Sequence, residues 1–176
     1  MSRITPIDPK TATGKAKEIF DGPMKGKEFN IFKSMAASPA ALETYVVLSG
    51  TLAKGQLSPK EREVIQLTVG EANNCGYCVA AHTMMGKGAG LSEDQTVEAR
   101  RGHLKDSKLD ALAKFALALH EKKGFVSDGD FQAFTAAGYT PAHAAEVLAN
   151  YSLALYTNYF NHMNNTPVDF PAAPKI

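Results

Sequence analysis

The sequence predicts an all-α protein that folds as one compact domain of about seven to eight helices over residues 1–176. No segment keeps up the alternation of apolar and polar residues that a half-buried strand requires. Residues that begin and end helices are instead frequent along the chain. A chain of 176 residues is also long enough to bury about 70% of its unfolded surface in a single core.

Ser58 gives the clearest helix start. Pro59 follows at the first helical position and Glu61 stands three residues after the serine, which is the pattern of a capping box. The helix is expected to run to about residue 72, where Asn73 and Asn74 suit a break. A second helix should then begin near Cys75.

The other helices follow from the same kinds of signal. In the region from residue 106 the apolar positions recur at intervals of three and four, and Gly124 marks the end. Thr140 and Pro141 open the long final helix. The predicted helices, in chain order, cover residues 11–20, 39–53, 59–72, 75 to 86–90, 93–101, 106–123, 128–138 and 141–164.

Composition argues against several kinds of partner. With 19 basic and 18 acidic residues the net charge is +1, so no basic surface for nucleic acid or an anionic membrane is expected. The first nine residues lack the apolar stretch of a secretory signal, and the longest apolar region, 142–160, is interrupted by His143, Glu146 and Asn150. We therefore expect a cytoplasmic protein without a membrane span.

The two cysteines of the chain carry its chemical signal. Cys75 and Cys78 are three residues apart, and His82 follows Cys78 by four. On a helix these steps place all three side chains on one face. In a reducing compartment such a pair is more often catalytic, redox-sensing or metal-binding than a structural crosslink.

A helix that begins at this pair would favour thiolates, because unpaired backbone N–H groups at its first turn attract negative charge. A thiolate oxidised by peroxide becomes a sulfenic acid, which a second nearby thiol converts to a disulfide. Two other interpretations stay open. A structural zinc site is one, although such sites almost always have four ligands and no third cysteine exists. A pair of inert buried cysteines is the other.

The residues resemble a known family. The segments Ser58–Glu63 and Asn74–His82 look like the core of the alkylhydroperoxidase D-like branch of the carboxymuconolactone decarboxylase family. Residues 29–40 resemble the lead-in of its peroxidase-related members, and residues 159–170 resemble their C-terminal end. The likeness covers most of the chain and is strongest over residues 57–90.

The resemblance implies roles for four residues. Cys78 corresponds to the thiol that attacks peroxide, Cys75 to the resolving and more accessible thiol, and His82 and Glu63 to a proton relay. Tyr77 departs from the pattern, because the best-studied members have a histidine there. A tyrosine hydroxyl, with a pKa of about 10, is a poor proton shuttle at neutral pH. Tyr77 is therefore interpreted either as a weak part of the relay or as packing beside the pair.

The function expected from the resemblance is a thiol-dependent peroxidase that reduces hydrogen peroxide or organic hydroperoxides without a cofactor. Its electron donor would be of the dihydrolipoamide, thioredoxin or peroxiredoxin type, and the protein would form a homotrimer or homohexamer. The alternatives are a zinc- or redox-responsive binding protein without enzymatic activity, and a decarboxylase of the wider family. The cysteine pair argues against the last, because members with that activity generally lack it.

Overall fold

Nine α-helices and no strand make up the protein, in a computed structural model that describes residues 1–176. The all-α prediction is confirmed. The helices are α1 (Gly14–Asp21), α2 (Asn30–Met35), α3 (Pro39–Leu52), α4 (Pro59–Ala72), α5 (Gly76–Gly88), α6 (Glu93–Arg100), α7 (Ser107–Glu121), α8 (Asp128–Ala136) and α9 (Pro141–Asn164).

The sequence predicts eight of these helices to within about three residues of their ends, and the predicted number is low by one. The missing helix is α2, which has only six residues and no side-chain hydrogen bond at its N-cap. A helix this short is not stable by itself. It forms because Ile31, Phe32 and Met35 are buried against its neighbours.

Helix α4 is the central element of the fold. It packs against α5, α6, α7 and α9. The capping box predicted at its start is present, since Ser58 and Glu61 each bond the other's backbone N–H. Almost every residue from Val64 to Gly70 is buried, on all sides of the helix. This surrounded position explains why α4 shows little amphipathic pattern in the sequence.

Two apolar clusters form the interior. The first core cluster lies between α4, α6, α7, α8 and α9 and includes the stacked rings of Phe115, Phe134 and Tyr139. The second core cluster joins α1, α2 and α3 to the start of α5 and contains Cys75 and Cys78. The cysteine pair is therefore covered by the N-terminal part of the chain.

Both chain ends return to the helical body. The backbone N–H of Arg3 donates to the carbonyl of Asn164, and the N–H of Ile4 donates to the Asn164 side chain at 2.8 Å. At the other end, the guanidinium of Arg100 bonds the carbonyl of Pro174. None of the nine helices combines the length and hydrophobicity that a membrane span needs.

Candidate active site

The turn between α4 and α5 fixes the position of the cysteine pair. Asn74 adopts a left-handed conformation with φ of 55°, which asparagine tolerates better than most residues. The N–H of Cys75 then donates to the carbonyl of Gly70 at 2.8 Å. The side chain of Asn73 donates to Asn158 of α9 at 2.9 Å, so the turn is held from both sides.

Cys75 is the N-cap of α5, and it is joined to Cys78 in a disulfide with a Cα–Cα distance of 5.3 Å. The sulfur of Cys75 accepts a hydrogen bond from the backbone N–H of Cys78 at 3.3 Å. The helix N-terminus therefore faces this sulfur, where it favours a negative charge.

The expectation that Cys75 is the more accessible thiol is wrong for this chain. Cys75 is 1% exposed and Cys78 is 2% exposed. The cause is the second core cluster, in which both cysteines are buried together with apolar residues of α1, α2 and α3. Of the two cysteines, only Cys78 lines the large cavity described next.

A cavity of about 370 Å³ opens beside Cys78. Twelve of its 21 lining residues are apolar or aromatic, so its wall is suited to an organic molecule. The apolar and aromatic residues are Phe29, Ile31, Phe32, Tyr45, Leu52, Tyr77, Cys78, Ala81, Met84, Met85, Leu153 and Phe170. The polar residues are Lys27, Ser49, Arg62, Glu63, Gln66, His82, Asn150, Thr157 and Asn161.

Glu63 and His82 form a pair inside this cavity. Nδ1 of His82 lies 2.8 Å from Oε2 of Glu63, and both side chains are about 15% exposed (15% and 14%). A carboxylate can only accept, so the hydrogen of this bond lies on Nδ1 of His82. The structure thus brings Cys78, His82 and Glu63 to one cavity and places Cys75 behind them.

Tyr45 lines the same cavity and is absent from the residues that the sequence singles out. Burial raises the pKa of its hydroxyl to about 12, and the charge of Glu63 adds to this effect. The ring packs against Phe32 with centroids 4.6 Å apart. Tyr45 is therefore a protonated hydroxyl close to the Glu63–His82 pair at neutral pH.

Tyr77 points its hydroxyl at the C-terminal segment. The hydroxyl donates to Oδ1 of Asp169 at 2.7 Å and accepts from the N–H of Ile31 at 3.3 Å. Burial and the hydrogen bond to Asp169 both raise the pKa of Tyr77, whereas the Ile31 N–H lowers it by less. The residue thus joins α2, α5 and the C-terminal segment.

The C-terminal segment itself forms a wall of the cavity. Oδ2 of Asp169 accepts from the backbone N–H of Asn30 at 2.7 Å. The ring of Phe170 then lies 4.6 Å from that of Phe29 and 5.4 Å, edge-on, from that of Tyr77. In the sequence Asp169 and Phe170 appear only as part of the family resemblance. They lie in a segment without secondary structure, and no local sequence pattern there indicates a cavity wall.

Asn161 of α9 is the other residue that the pattern around the cysteines does not reveal. Its Nδ2 donates to the sulfur of Cys78 at 3.4 Å across a separation of 83 residues. A sequence signal exists only in hindsight: an asparagine between Phe160 and His162 in an apolar helix is an unusual buried residue.

The structure does not bring together a set of metal-ligating side chains. No three His, Cys, Asp or Glu side chains cluster so that they could hold one. His82 instead uses Nδ1 for Glu63. The zinc alternative therefore lacks the four ligands that structural sites need.

A protein-family model matches the central part of the chain. The model of the carboxymuconolactone decarboxylase family matches residues 39–122, from the start of α3 to the end of α7. No curated protein matches the chain.

Solved structures match nearly the whole chain at low identity. An alkylhydroperoxidase D core, a peroxidase-related protein from Ralstonia eutropha JMP134, is 22% identical with a TM-score of 0.83, over 96% of this chain and 92% of its own. A peroxidase-related protein from Silicibacter sp. TM1040 is 18% identical with a TM-score of 0.78, over 95% and 94%.

A third solved structure is that of the debrominase Bmp8, in a cysteine-to-alanine variant bound to 2,3,4-tribromopyrrole. It is 16% identical with a TM-score of 0.81, over 96% of this chain and 92% of its own. The solved structures show that the chain has the alkylhydroperoxidase D-like fold, and the carboxymuconolactone decarboxylase family model matches the central part of that fold.

Proposed function

We propose that the protein is a thiol-dependent peroxidase of the alkyl hydroperoxide reductase type. One observation carries the proposal: Cys78 faces a cavity that also holds the hydrogen-bonded pair Glu63 and His82. A nucleophile, a base and a group that orients the base therefore share one space. The disulfide to Cys75 is the oxidised end product that such a reaction leaves.

In the first step the thiolate of Cys78 attacks the terminal oxygen of a hydroperoxide. The S–O bond forms as the O–O bond breaks, so sulfur is oxidised by two electrons and the peroxide is reduced. His82, oriented by Glu63, takes the thiol proton and returns it to the departing alkoxide, which leaves as an alcohol. Cys78 is then a sulfenic acid.

In the second step Cys75 attacks the sulfur of the sulfenic acid. The S–S bond forms, the S–O bond breaks, and the released hydroxide takes the proton of Cys75 to become water. The Cα atoms are 5.3 Å apart, inside the range for a disulfide, so no large movement is required.

A thiol donor must then return the pair to two thiols. Because Cys75 is buried and Cys78 lines the cavity, we propose that the donor attacks Cys78 and that Cys75 leaves as a thiolate at the helix N-terminus. A slender dithiol of the dihydrolipoamide type fits this route better than thioredoxin or a peroxiredoxin. The cytoplasm, where such donors keep thiols reduced, is the proposed location.

The apolar wall favours organic hydroperoxides over hydrogen peroxide. Phe29, Tyr77 and Phe170 offer aromatic surface that hydrogen peroxide cannot use. The carbon part of an organic hydroperoxide would bury apolar area there and gain binding energy.

The proposed assembly is a homotrimer or homohexamer. Helix α3 is largely apolar, yet only Leu42 and Leu52 are buried in it, and Val47 is 60% exposed. On α9, Leu148 and Tyr159 are about half exposed (49% and 53%). Exposed apolar side chains on these two helices, which pack against each other, suit contacts between chains. Light scattering at micromolar concentration should show an oligomer, and a uniform monomer would contradict the assembly.

The direct test is consumption of cumene hydroperoxide and hydrogen peroxide with dihydrolipoamide or thioredoxin as donor. We expect turnover in the wild type, faster with dihydrolipoamide, and none in Cys78→Ser. In Cys75→Ser one equivalent of peroxide should leave a sulfenic acid on Cys78 that a dimedone probe traps. If the reduced wild type consumes no peroxide and its thiols stay unoxidised, the proposal is wrong.

Reductive dehalogenation of an aromatic ring is a second candidate, favoured by the same aromatic wall. Two thiols that become a disulfide supply the two electrons that replace a carbon–bromine by a carbon–hydrogen bond and release bromide and a proton. Incubation of the reduced protein with 2,3,4-tribromopyrrole should then release bromide with one disulfide per bromide. Bromide release without peroxide consumption would favour this candidate over the peroxidase. No observation at the site favours a decarboxylase.

A further inference from the structure

Asn161 touches the sulfur that the proposed reaction oxidises. It lies in the last turn of α9, is 5% exposed, and lines the same cavity as Cys78, Glu63 and His82. Its Nδ2 is 3.4 Å from Sγ of Cys78, within range for a hydrogen bond to sulfur. A donor in this position stabilises a thiolate more than a thiol.

The other end of the same amide has no partner. Oδ1 of Asn161 is buried and accepts no hydrogen bond. A buried carbonyl oxygen without a donor is costly, and in native proteins such a group needs an explanation. At the wall of a cavity the simplest one is a donor that arrives with the substrate.

The other buried asparagines of α9 do not share this combination. Asn164 uses both amide atoms, accepting from the N–H of Ile4 at 2.8 Å and donating to Thr166 at 3.0 Å. Asn158 leaves Nδ2 unpaired but accepts from Asn73 and does not line the cavity. Asn150 lines the cavity, but its Nδ2 donates to the carbonyl of Glu146 at 2.9 Å. Among the four asparagines only Asn161 lines the cavity, contacts the cysteine and has a buried acceptor without a partner.

We propose that Asn161 is a catalytic residue whose Nδ2–H holds the Cys78 thiolate while its Oδ1 accepts the O–H of the incoming hydroperoxide. The inference rests on the proposed peroxidase function. The terminal O–H group that is bound to Oδ1 is the group that is transferred. Its oxygen forms a bond to the sulfur of Cys78 as the O–O bond breaks. The alkoxide takes the proton from His82 and leaves as an alcohol. The hydrogen remains on the same oxygen, now in the sulfenic acid, and still faces Oδ1.

This arrangement selects a protonated hydroperoxide. A hydroperoxide anion or an alkyl peroxide without a terminal O–H cannot donate to Oδ1. The neutral amide is suited to the task because it donates and accepts at once without repelling a thiolate. A carboxylate at the same place would oppose the thiolate charge and lose the donor.

The test uses Cys75→Ser protein, so that Cys78 is the single thiol, with Asn161→Ala or Asn161→Asp added. The rate of alkylation by iodoacetamide is followed against pH, and sulfenic acid formation with cumene hydroperoxide is followed at pH 7. The matched control is Asn164→Ala, which removes a buried asparagine one turn away that contacts neither the sulfur nor the cavity.

We expect Asn161→Ala to move the alkylation profile of Cys78 to higher pH and to slow alkylation at pH 7 by about tenfold, the effect of one hydrogen bond to a charged group. Asn161→Asp should shift it further. Sulfenic acid formation should fall more than alkylation does in both variants, because the contact to the peroxide is also lost. Asn164→Ala should lower the melting temperature and leave the alkylation profile unchanged.

Alkylation needs no peroxide, so the two proposals can fail separately. If the profile shifts in the Asn161 variants and the wild type consumes no peroxide, the contact to the thiolate stands and the peroxidase proposal fails. If either folded Asn161 variant keeps the wild-type alkylation profile, the inference about Asn161 is overturned. It is overturned equally if Asn164→Ala shifts the profile as much, because the effect would then be structural.

Discussion

Two glutamates two residues apart on α4 end in different regions of the molecule. Glu61 belongs to the cap at the start of the helix, and Glu63 belongs to the cavity wall beside Cys78. Both are largely buried, with side chains 12% and 14% exposed. Burial alone therefore does not separate a structural carboxylate from a reactive one; the partners do.

Every acceptor position of Glu61 is used by the fold. Oε2 accepts from the N–H and hydroxyl of Ser58 at 2.8 and 2.7 Å, and Oε1 accepts from Tyr139 at 3.0 Å with Lys108 at 3.4 Å. Burial opposes ionisation, but these hydrogen bonds and the lysine charge outweigh it and lower the pKa of Glu61. Such a carboxylate is held ionised and has no acceptor free for chemistry.

Glu63 has a different set of neighbours. The only hydrogen bond of its side chain joins it to His82. Burial raises the pKa of Tyr45, and the charge of Glu63 raises this pKa further. Its partners are a titratable base and a protonated hydroxyl, both in the cavity. The difference supports a division of α4 in which Glu61 stabilises the start of the helix and Glu63 serves the proposed proton transfer.

The largest expected effect is on turnover. Glu63→Gln should slow peroxide reduction by about 100- to 10,000-fold, because general acid–base contributions are of that size and the substitution removes the charge that orients His82. Glu61→Gln is the matched control and should stay within about twofold of the wild type. Steady-state kinetics on both folded variants checks this.

An equal loss of turnover in the two variants would erase the distinction between the two regions. Unchanged turnover in folded Glu63→Gln would remove this residue from the mechanism. The fold of each variant is verified by its circular dichroism spectrum before the kinetics is interpreted.

The opposite ranking is expected for stability. Glu61→Gln should lower the free energy of unfolding by about 1 to 2 kcal/mol, because the helix cap and the charged hydrogen bonds are both weakened. Glu63→Gln should cost less, because an amide oxygen can still accept from His82. Urea unfolding at pH 7 measures both. A larger loss in Glu63→Gln would show that the cavity pair, and not the cap, carries the stability.

Sequence alone predicts more of the cap region than of the cavity. Ser58, Pro59 and Glu61 lie within one turn, so their spacing predicts the capping box that the structure contains. The step from Cys78 to His82 is equally local. Tyr45 and Asn161 come from distant helices. Asn161 reaches the sulfur of Cys78 because α9 packs against α5, and Tyr45 lines the cavity from α3, which packs against α9.

The burial of Cys75 shows the same limit. Its place at the start of a helix is local and predicts a thiolate near unpaired N–H groups. Its burial depends on the second core cluster, which joins it to apolar residues of α1, α2 and α3 that are far away in the sequence. Such contacts leave no pattern near the cysteines, and this is why the expected accessibility was reversed.

The pH dependence of stability should show the contribution of ionised Glu61. The folded pKa of Glu61 is below its ordinary value of 4.5, so its contribution is complete well above pH 4.5 and is lost as the pH falls through the folded pKa. The wild type should therefore lose its advantage over Glu61→Gln as the pH falls from neutral to below 4.5. Urea unfolding across this range measures it. A constant difference between the two proteins would contradict the lowered pKa.

The smallest expected effect tests how far the reactive region extends beyond the Glu63–His82 pair. Tyr45 stays protonated at neutral pH, since burial raises its pKa to about 12, and the residue lines the cavity. If it donates a neutral hydrogen bond to the departing alkoxide, Tyr45→Phe should lower kcat by about three- to fivefold. Tyr156→Phe is the control, because that hydroxyl donates to the carbonyl of Ala41 at 2.9 Å, outside the cavity. Equal kcat values for the two variants would exclude Tyr45 from the reactive region.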